Sequence, residues 1–203
     1  MKYQEFRNII KSPFFRKTDV DFKMTNVSSV QLSRWANLGY INQVKRGLYV
    51  FSDKKDTLDP FGISFLLYEP SYISLESALS YYGLIPELVP ATTAVSAKTT
   101  RIFENQYGKF LYRHIRPELF FGYAPKEIPA GKYLLAEPEK AVLDYVYFNR
   151  ARLASADDIN ELRINTEEFK KIIDVAKLKT YLKEHNSKQI NKVINLLLTH
   201  VNL

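Results

Sequence analysis

The segment that most restricts the fold of this chain is residues 25–51, TNVSSVQLSRWANLGYINQVKRGLYVF. Leu32, Trp35 and Ala36 recur at the intervals that place side chains on one face of a helix. Gly39 follows where such a helix has to end, because glycine readily adopts the left-handed conformation of a helix C-terminal cap. The spacing therefore predicts an amphipathic helix that closes at Gly39.

The start of this helix and the strands after it also have local signals. Asn26 or Ser28 can cap the first turn, because both side chains accept hydrogen bonds from free amide groups. Beyond the glycine, apolar and β-branched runs at residues 40–41 and 48–51 are separated by the basic stretch KRG at 45–47, which predicts two strands joined by a turn. A reading helix followed at once by a basic β-wing is typical of winged helix-turn-helix DNA-binding domains.

The polar face of the predicted helix carries the candidate base-reading residues. They are Ser29, Ser33, Arg34 and Asn37. Arg34 and Asn37 can offer hydrogen bonds to base edges in a DNA groove. Two alternatives remain open, since Arg34 can be a solvated charge on an outer helix face and Asn37 can be a capping or turn residue.

The basic turn is the second candidate contact with DNA. Lys45 and Arg46 can meet phosphates beside the groove, and Gly47 lets the backbone turn sharply. Two adjacent cations have little structural use at the tip of a wing. The pattern therefore favours phosphate binding by this pair.

Positive charge is concentrated at the N-terminal end of the chain. Residues 1–57 contain 11 Lys and Arg and 5 Asp and Glu, a net charge of +6, whereas the other 146 residues contribute only +1 of the total of +7. Phosphate contacts need clustered Lys and Arg side chains, so this asymmetry favours a footprint of duplex DNA on the first 57 residues. A merely basic surface is the alternative.

The segments around the reading helix complete a first domain. Residues 3–10 have the apolar spacing of an amphipathic helix that Pro13 ends, and residues 18–23 can form the supporting helix before the reading helix. The polar, charged stretch 52–56 suits a linker. Residues 1–57 are therefore predicted to form a winged helix-turn-helix domain.

Residues 58–203 are predicted to form a mixed α+β domain with a helical C-terminal tail. Short aromatic and β-branched runs predict strands at 92–97, 109–115, 119–123 and 132–136. Helical spacing predicts helices at 61–68, 74–82, from 137 onward and in the last fifty residues. The apolar stripes of the tail are predicted to pack on this domain, and docking of the last helix on a partner is the alternative.

The composition excludes several classes of protein and of site. The chain has no cysteine, which excludes disulfides, thiol catalysis and cysteine metal sites, and a reducing cytoplasmic location is compatible with this. The N-terminal residues lack the apolar core of a signal peptide, and no run approaches the length of a membrane span. We therefore expect a cytoplasmic protein with no membrane partner.

Motifs typical of active sites are missing from the sequence. His114, His185 and His200 lie in unrelated contexts without metal-ligand spacing. The sequence has no glycine-rich phosphate loop, no nucleophile elbow and no HExxH motif. We expect no enzymatic activity, no cofactor and no bound metal.

One cluster of carboxylates leaves an alternative open. Glu137, Glu139 and Asp144 lie at one predicted helix with Lys140 among them, and a nuclease-like metal site can be imagined there. Acidic residues at a helix N-terminus are also explained by the favourable interaction with the helix dipole. The dipole interpretation is preferred.

Three motifs in a fixed order resemble one known family. They are KRGLYVF at residues 45–51, PSYISLESALSYYGLIPE at 70–87 and AEPEKAVLDYVYF at 136–148. Together they resemble the AbiEi-type antitoxins, the transcriptional-regulator component of type IV toxin–antitoxin systems. The resemblance covers roughly residues 2–150, and the order of the motifs is more specific than any one of them.

The resemblance implies a function for each domain. It implies an N-terminal domain that binds operator DNA and represses its own operon, and a C-terminal domain that counteracts a nucleotidyltransferase-like toxin, without a stable complex being required. It carries the DNA-binding positions over to Ser29, Ser33, Arg34, Asn37, Lys45, Arg46 and Gly47, with Tyr49 anchoring the strand. Trp35 departs from the family pattern, because winged helices usually bury a leucine there. The alternative is a freestanding winged-helix regulator whose second domain binds a small ligand or mediates assembly.

Overall fold

The structure is a computed structural model that describes residues 1–22, 27–57, 59–86, 89–129, 131–153 and 155–203. Within these residues the chain folds into ten α-helices and nine strands in two sheets, which confirms the predicted mixed α+β class. Asn26, one of the two predicted caps, and Lys23, the predicted end of the supporting helix, lie outside the described residues. No helix in the described part of the chain is long and apolar enough to cross a membrane.

The first 57 residues contain three helices and a three-stranded antiparallel sheet. The helices are α1 (Tyr3–Ile9), α2 (Lys17–Phe22) and α3 (Ser29–Asn37), and the strands are β1 (Phe14–Arg16), β2 (Ile41–Lys45) and β3 (Leu48–Phe51). The sheet order is β1-β3-β2. Strand β1 was not predicted, because three residues are too few to show an alternating pattern. A 3₁₀ helix at Ser52–Thr57 takes the place of the predicted linker.

One side of this sheet and the three helices enclose an aromatic core. Its buried members are Phe6, Ile10, Phe15, Val20, Val27, Leu32, Trp35, Ile41, Tyr49 and Phe51. The Trp35 ring lies 5.1 Å from the ring centroid of Phe6 and 5.6 Å from that of Tyr3. These ring contacts accommodate the large indole where a leucine is usual. Ile9, predicted on the apolar face of α1, is exposed, whereas Ile10 at the helix C-cap is buried in this core.

The other side of the small sheet packs on the rest of the chain. Val44, Leu48 and Val50 belong to the larger hydrophobic core that extends to the C-terminus. Polar contacts accompany this packing, since Asn105 Nδ2 donates to the Val44 carbonyl at 3.0 Å. Strand β3 is therefore buried on both faces, which explains its continuous apolar run.

A mixed six-stranded sheet forms the centre of the second unit. Its strands are β4 (Ser71–Ile73), β5 (Thr92–Ser96), β6 (Arg101–Asn105), β7 (Gly108–His114), β8 (Tyr123–Ile128) and β9 (Gly131–Ala136), in the order β6-β7-β5-β4-β9-β8. The predicted strand at 119–123 is wrong: Pro117–Leu119 is a 3₁₀ turn and β8 begins only at Tyr123. The aromatic run at 119–123 misled the prediction because its side chains are there for burial and not for strand pairing. Strands β6 and β8 were missed because they are largely exposed edge strands without an apolar alternation.

The described residues of this unit also form seven helices. They are α4 (Pro60–Leu67), α5 (Leu75–Tyr81), α6 (Pro138–Asn149), α7 (Ala156–Glu161), α8 (Thr166–Ile172), α9 (Val175–His185) and α10 (Lys188–His200). Of these helices, α4, α5 and α6 pack on the sheet. The apolar stripe of α10 is buried in the larger core at Ile190, Val193, Ile194, Leu197 and Leu198. The prediction that the last helix packs on its own domain is therefore confirmed.

Candidate nucleic-acid interface

Helix α3 begins and ends where local signals predict. The Ser28 side-chain oxygen accepts a hydrogen bond from the Gln31 amide at 3.2 Å, and Gly39 adopts a positive φ of +74° just after the last turn. Leu32 and Trp35 are buried against α1 and the sheet. The opposite side of the helix consequently faces solvent.

The solvent-facing side of α3 contains every residue predicted to read bases. Ser29, Ser33, Arg34 and Asn37 are all exposed. No acidic residue occurs in the helix, and Arg34 forms no salt bridge with any residue that the structure describes. The face is therefore polar and electropositive.

Val30 is a member of this face that sequence reasoning missed. Its side chain is 79% exposed, although valine is usually buried. Val30, Ser33, Arg34 and Asn37 follow the i, i+3, i+4, i+7 spacing of one helix stripe. The same spacing rule that identified the apolar face could have found it. An exposed apolar side chain among polar side chains that can form hydrogen bonds suits contact with a thymine methyl group.

The turn between β2 and β3 is tight and tied to helix α2. Gly47 has a φ of +79°, and an added Cβ would meet nothing within 4 Å, so conformation and not space requires glycine there. The Gly47 carbonyl accepts a hydrogen bond from the Lys17 amide at 2.9 Å. The start of α2 therefore fixes the position of the turn.

Lys45, which was predicted to contact phosphate, forms a hydrogen bond within the protein. Its ammonium donates a hydrogen bond to the Leu67 carbonyl at the end of α4, where the last helix carbonyls lack partners within the helix. The side chain is half-buried, and burial followed by the nearby charges of Arg16 and Lys98 lowers the pKa of Lys45. Lys45 thus joins the small sheet to α4. Arg46 is exposed and forms no ion pair within the described residues.

Other cations of the first 57 residues also have partners inside the protein. Arg16 pairs with Glu69 at 2.8 Å and Lys17 with Asp21 at 3.0 Å. Arg7 lies 3.4 Å from Asp53 and 4.3 Å above the Phe51 ring. Asp21 and Asp53 are already counted in the net charge of +6, so only the pairing of Arg16 with Glu69 reduces the excess of positive charge. These pairs leave Arg34 and Arg46 as exposed cations without a salt bridge among the described residues.

Two of the three clustered carboxylates, Glu139 and Asp144, are buried, and they have partners in the protein besides the helix dipole. Lys140 and Asp144 are both 0% exposed and form an ion pair across one helical turn. The hydroxyls of Tyr72 and Ser74 each donate to Asp144 Oδ2 at 2.8 Å. Burial raises the pKa of Asp144, although Lys140 acts in the opposite direction. Asp144 is thus the centre of a buried polar cluster that joins α6 to β4 and the start of α5.

Glu137 and Glu139 instead connect α6 to α9. Lys177 Nζ lies 3.0 Å from Glu137 Oε1 and 3.4 Å from Glu139 Oε2, and the Tyr181 hydroxyl donates to Glu137. Burial acts to raise the pKa of Glu137, but the hydrogen bonds from Tyr181 and Lys177 outweigh it and lower that pKa. Among the described residues, no three or more histidines and carboxylates group as ligands of a metal ion would.

Comparisons with protein families and with curated proteins give no match. The assignment of a function therefore depends on the residues and contacts given above.

Proposed function

We propose that residues 1–57 form a winged helix-turn-helix domain that binds duplex DNA through α3. The observation that carries this proposal is the exposed, acid-free stripe on α3, held on an α1-β1-α2-α3-β2-β3 framework with sheet order β1-β3-β2. In helix-turn-helix proteins the second helix of the motif lies in the major groove and its exposed side chains meet base edges. We assign this role to helix α3, which follows α2 in the chain.

Each side chain of the stripe has a role in this proposal. Arg34 donates two hydrogen bonds to a guanine edge, and Asn37 pairs with an adenine edge. Val30 packs on a thymine methyl group, while Ser29 and Ser33 bond to either bases or phosphates. Specificity for one operator then comes from α3 alone.

The turn between β2 and β3 positions the protein on the DNA backbone and does not recognise the base sequence. Arg46 contacts a phosphate beside the groove, and Gly47 lets the backbone approach closely. Lys45, whose ammonium bonds to Leu67, holds the turn against α4. The phosphate contact predicted for both cations is therefore assigned to Arg46.

We further propose that the protein is an AbiEi-type antitoxin and autorepressor that acts in the cytoplasm against a nucleotidyltransferase-like toxin. The support is the sequence resemblance of the three motifs. The second and third motifs also meet physically, since Tyr72 and Ser74 of one bond to Asp144 of the other. Both motifs thus hold together the unit to which antitoxicity is assigned.

The DNA-binding proposal is tested by fluorescence anisotropy with duplex from upstream of the gene and with random duplex at the same salt. Arg34→Ala is expected to lose about 1–3 kcal/mol on the operator and little on random duplex. Arg101→Ala, which removes an exposed charge on edge strand β6, is the matched control and is expected to change neither. Equal losses on both duplexes for Arg34→Ala would contradict base reading by this residue.

The antitoxin proposal is tested by growth rescue of cells that express the neighbouring toxin gene. The full chain carrying Arg34→Ala and Arg46→Ala is expected to rescue growth while operator binding is lost, because the two functions lie in different units. Absence of rescue by the wild-type chain at confirmed expression would contradict the antitoxin proposal. The DNA-binding proposal would be unaffected by that result.

A freestanding regulator with a ligand-binding second unit is the other candidate. A cavity of about 430 Å³ favours it, lined by apolar residues such as Leu79, Ile85 and Leu162 and by the charged Arg152 and Glu161. This volume is within the range of about 300–1,000 Å³ that is usual for small-molecule sites. A nucleotidyltransferase gene beside this one favours the antitoxin, and its absence favours the freestanding regulator.

A further inference from the structure

A second cleft lies where α9 meets α10, beside the C-terminal end of α6. Its volume is about 420 Å³, within the usual range of about 300–1,000 Å³ for small-molecule sites. The lining residues include Arg116, Arg150, His185 and Ser187, and none of them is acidic. The cleft is thus concave and carries positive charge.

His185 is a buried polar side chain that lacks partners. It is 3% exposed, and neither ring nitrogen has a hydrogen-bond partner among the residues that the structure describes. Both nitrogens are also sealed from solvent, so the ring lies behind the surface of the cleft and can sense a bound ligand through its charge but does not bond to it. The ring packs 5.6 Å from that of Tyr147, which holds it at the wall of the cleft.

The charge state of His185 depends on two nearby cations. Burial, then the positive charges of Lys140 and Arg116, lowers the pKa of His185 to about 4. The C-terminus of α9 would favour a protonated histidine, but these effects outweigh it. At neutral pH the ring is therefore neutral and retains one N–H donor. An anion in the cleft would offset the cations and raise the pKa of His185.

Three positive features converge on this cleft. Arg116 and Arg150 form no salt bridge within the described part of the chain. Arg150 donates to the Tyr147 carbonyl and its guanidinium lies 5.1 Å from the centre of the Tyr147 ring, so its position is restrained. The 13-residue helix α10 begins at the cleft, capped by Ser187, and helix N-termini attract anions.

We infer that this cleft binds the phosphate group of a small-molecule phosphate monoester. Arg116 and Arg150 form charge-assisted hydrogen bonds to the phosphate oxygens, and the start of α10 supplies the positive end of its dipole. The remaining volume holds the organic part of the ligand. A concave site of this size suits a small molecule better than the convex backbone of duplex DNA.

Isothermal titration calorimetry of the full chain tests the inference with inorganic phosphate, adenosine 5′-monophosphate and adenosine as probes. Both phosphates are expected to bind and adenosine is not. Tighter binding of the nucleotide supports a monoester, whereas equal binding identifies free phosphate as the source of the anion. No heat from either phosphate up to about 10 mM, which corresponds to an affinity too weak for a built site, would overturn the inference.

Variants locate the bound phosphate. Arg116→Gln is expected to weaken phosphate binding about tenfold or more, and Arg150→Gln likewise, because each removes a charge-assisted hydrogen bond. Arg101→Gln, on the exposed edge strand β6, is the matched control and should leave the affinity unchanged. Unchanged affinity in both Arg116→Gln and Arg150→Gln places the phosphate elsewhere and overturns the inference. Displacement of the nucleotide by random duplex DNA also overturns it.

Nuclear magnetic resonance of the His185 ring gives an independent readout. Saturating phosphate is expected to shift the ring nitrogen resonances of His185 and to raise the pH at which the ring titrates. Arg116→Gln should reduce both effects at the same phosphate concentration. Ring resonances that do not respond to bound phosphate would contradict binding of the anion in this cleft beside His185.

Discussion

Replacing Asp144 by asparagine leaves a positive charge buried without a counter-charge. Asparagine has nearly the shape of aspartate, and its oxygen can still accept the hydrogen bonds of Tyr72 and Ser74. Its amide group then faces the Lys140 ammonium, so two donors meet. The rings of Phe121 and Tyr72, 4.9 Å and 5.9 Å from Lys140 Nζ, compensate only partly through cation–π attraction.

The loss of stability expected for Asp144→Asn can be estimated in two ways. Removing one partner of a buried ion pair costs about 3–5 kcal/mol. A lysine can also escape by releasing its proton, which at pH 7 costs about 5 kcal/mol for a group that ordinarily titrates near 10.4. The two estimates of the destabilisation agree. For a chain of 203 residues they correspond to a fall in Tm of about 6–20 °C.

Guanidinium chloride unfolding followed by circular dichroism measures this loss for Asp144→Asn. The double variant Lys140→Met with Asp144→Asn is the control, and we expect it to be more stable than Asp144→Asn alone, because it leaves no buried charge. A loss below about 1 kcal/mol, or a double variant no more stable than the single one, would refute the reasoning.

Three further predictions concern single positions. Gly122→Ala should destabilise the protein by about 1–3 kcal/mol more than Gly39→Ala, because both glycines have a φ of +74° but only at Gly122 would the new Cβ approach Tyr181 and Lys140, at 3.0 and 3.1 Å; equal losses in thermal unfolding would exclude the steric explanation. Burial and nearby cations lower the pKa of His185 from 6.5 to about 4 in the folded protein, so between these pH values the unfolded chain binds more protons than the folded chain. The free energy of unfolding should therefore fall by up to about 3 kcal/mol as the pH falls through this range. A His185→Phe variant with the same pH dependence of unfolding would contradict this. Lys45→Met should lower stability by about 1 kcal/mol with little change in DNA affinity, whereas Arg46→Ala should weaken binding to all duplexes and reduce the salt slope by about 1; anisotropy titrations at several salt concentrations compare the two.

The sequence alone was sufficient for elements whose signals are local. Helix α3, its Ser28 cap and its termination at Gly39 depend on residues within a few positions of one another, and all three predictions are confirmed. The exposed face of α3 was also predicted, since burial of Leu32 and Trp35 determines which side remains in solvent. The apolar stripe of α10 was predicted for the same reason.

Only the tertiary structure decided the contacts between residues far apart in the chain. Lys45 was predicted to contact phosphate, but in the structure its ammonium bonds to the carbonyl of Leu67, which lies 22 positions away in another element. Tyr72 and Ser74 reach Asp144 across 72 and 70 positions, so no spacing rule relates them to it. The exposed edge strands β6 and β8 likewise lack a local pattern. The stability of a buried charge or of an edge strand depends on segments that are distant in the chain. Because the tertiary structure determines the burial and the bonding partners, a local sequence pattern does not predict them.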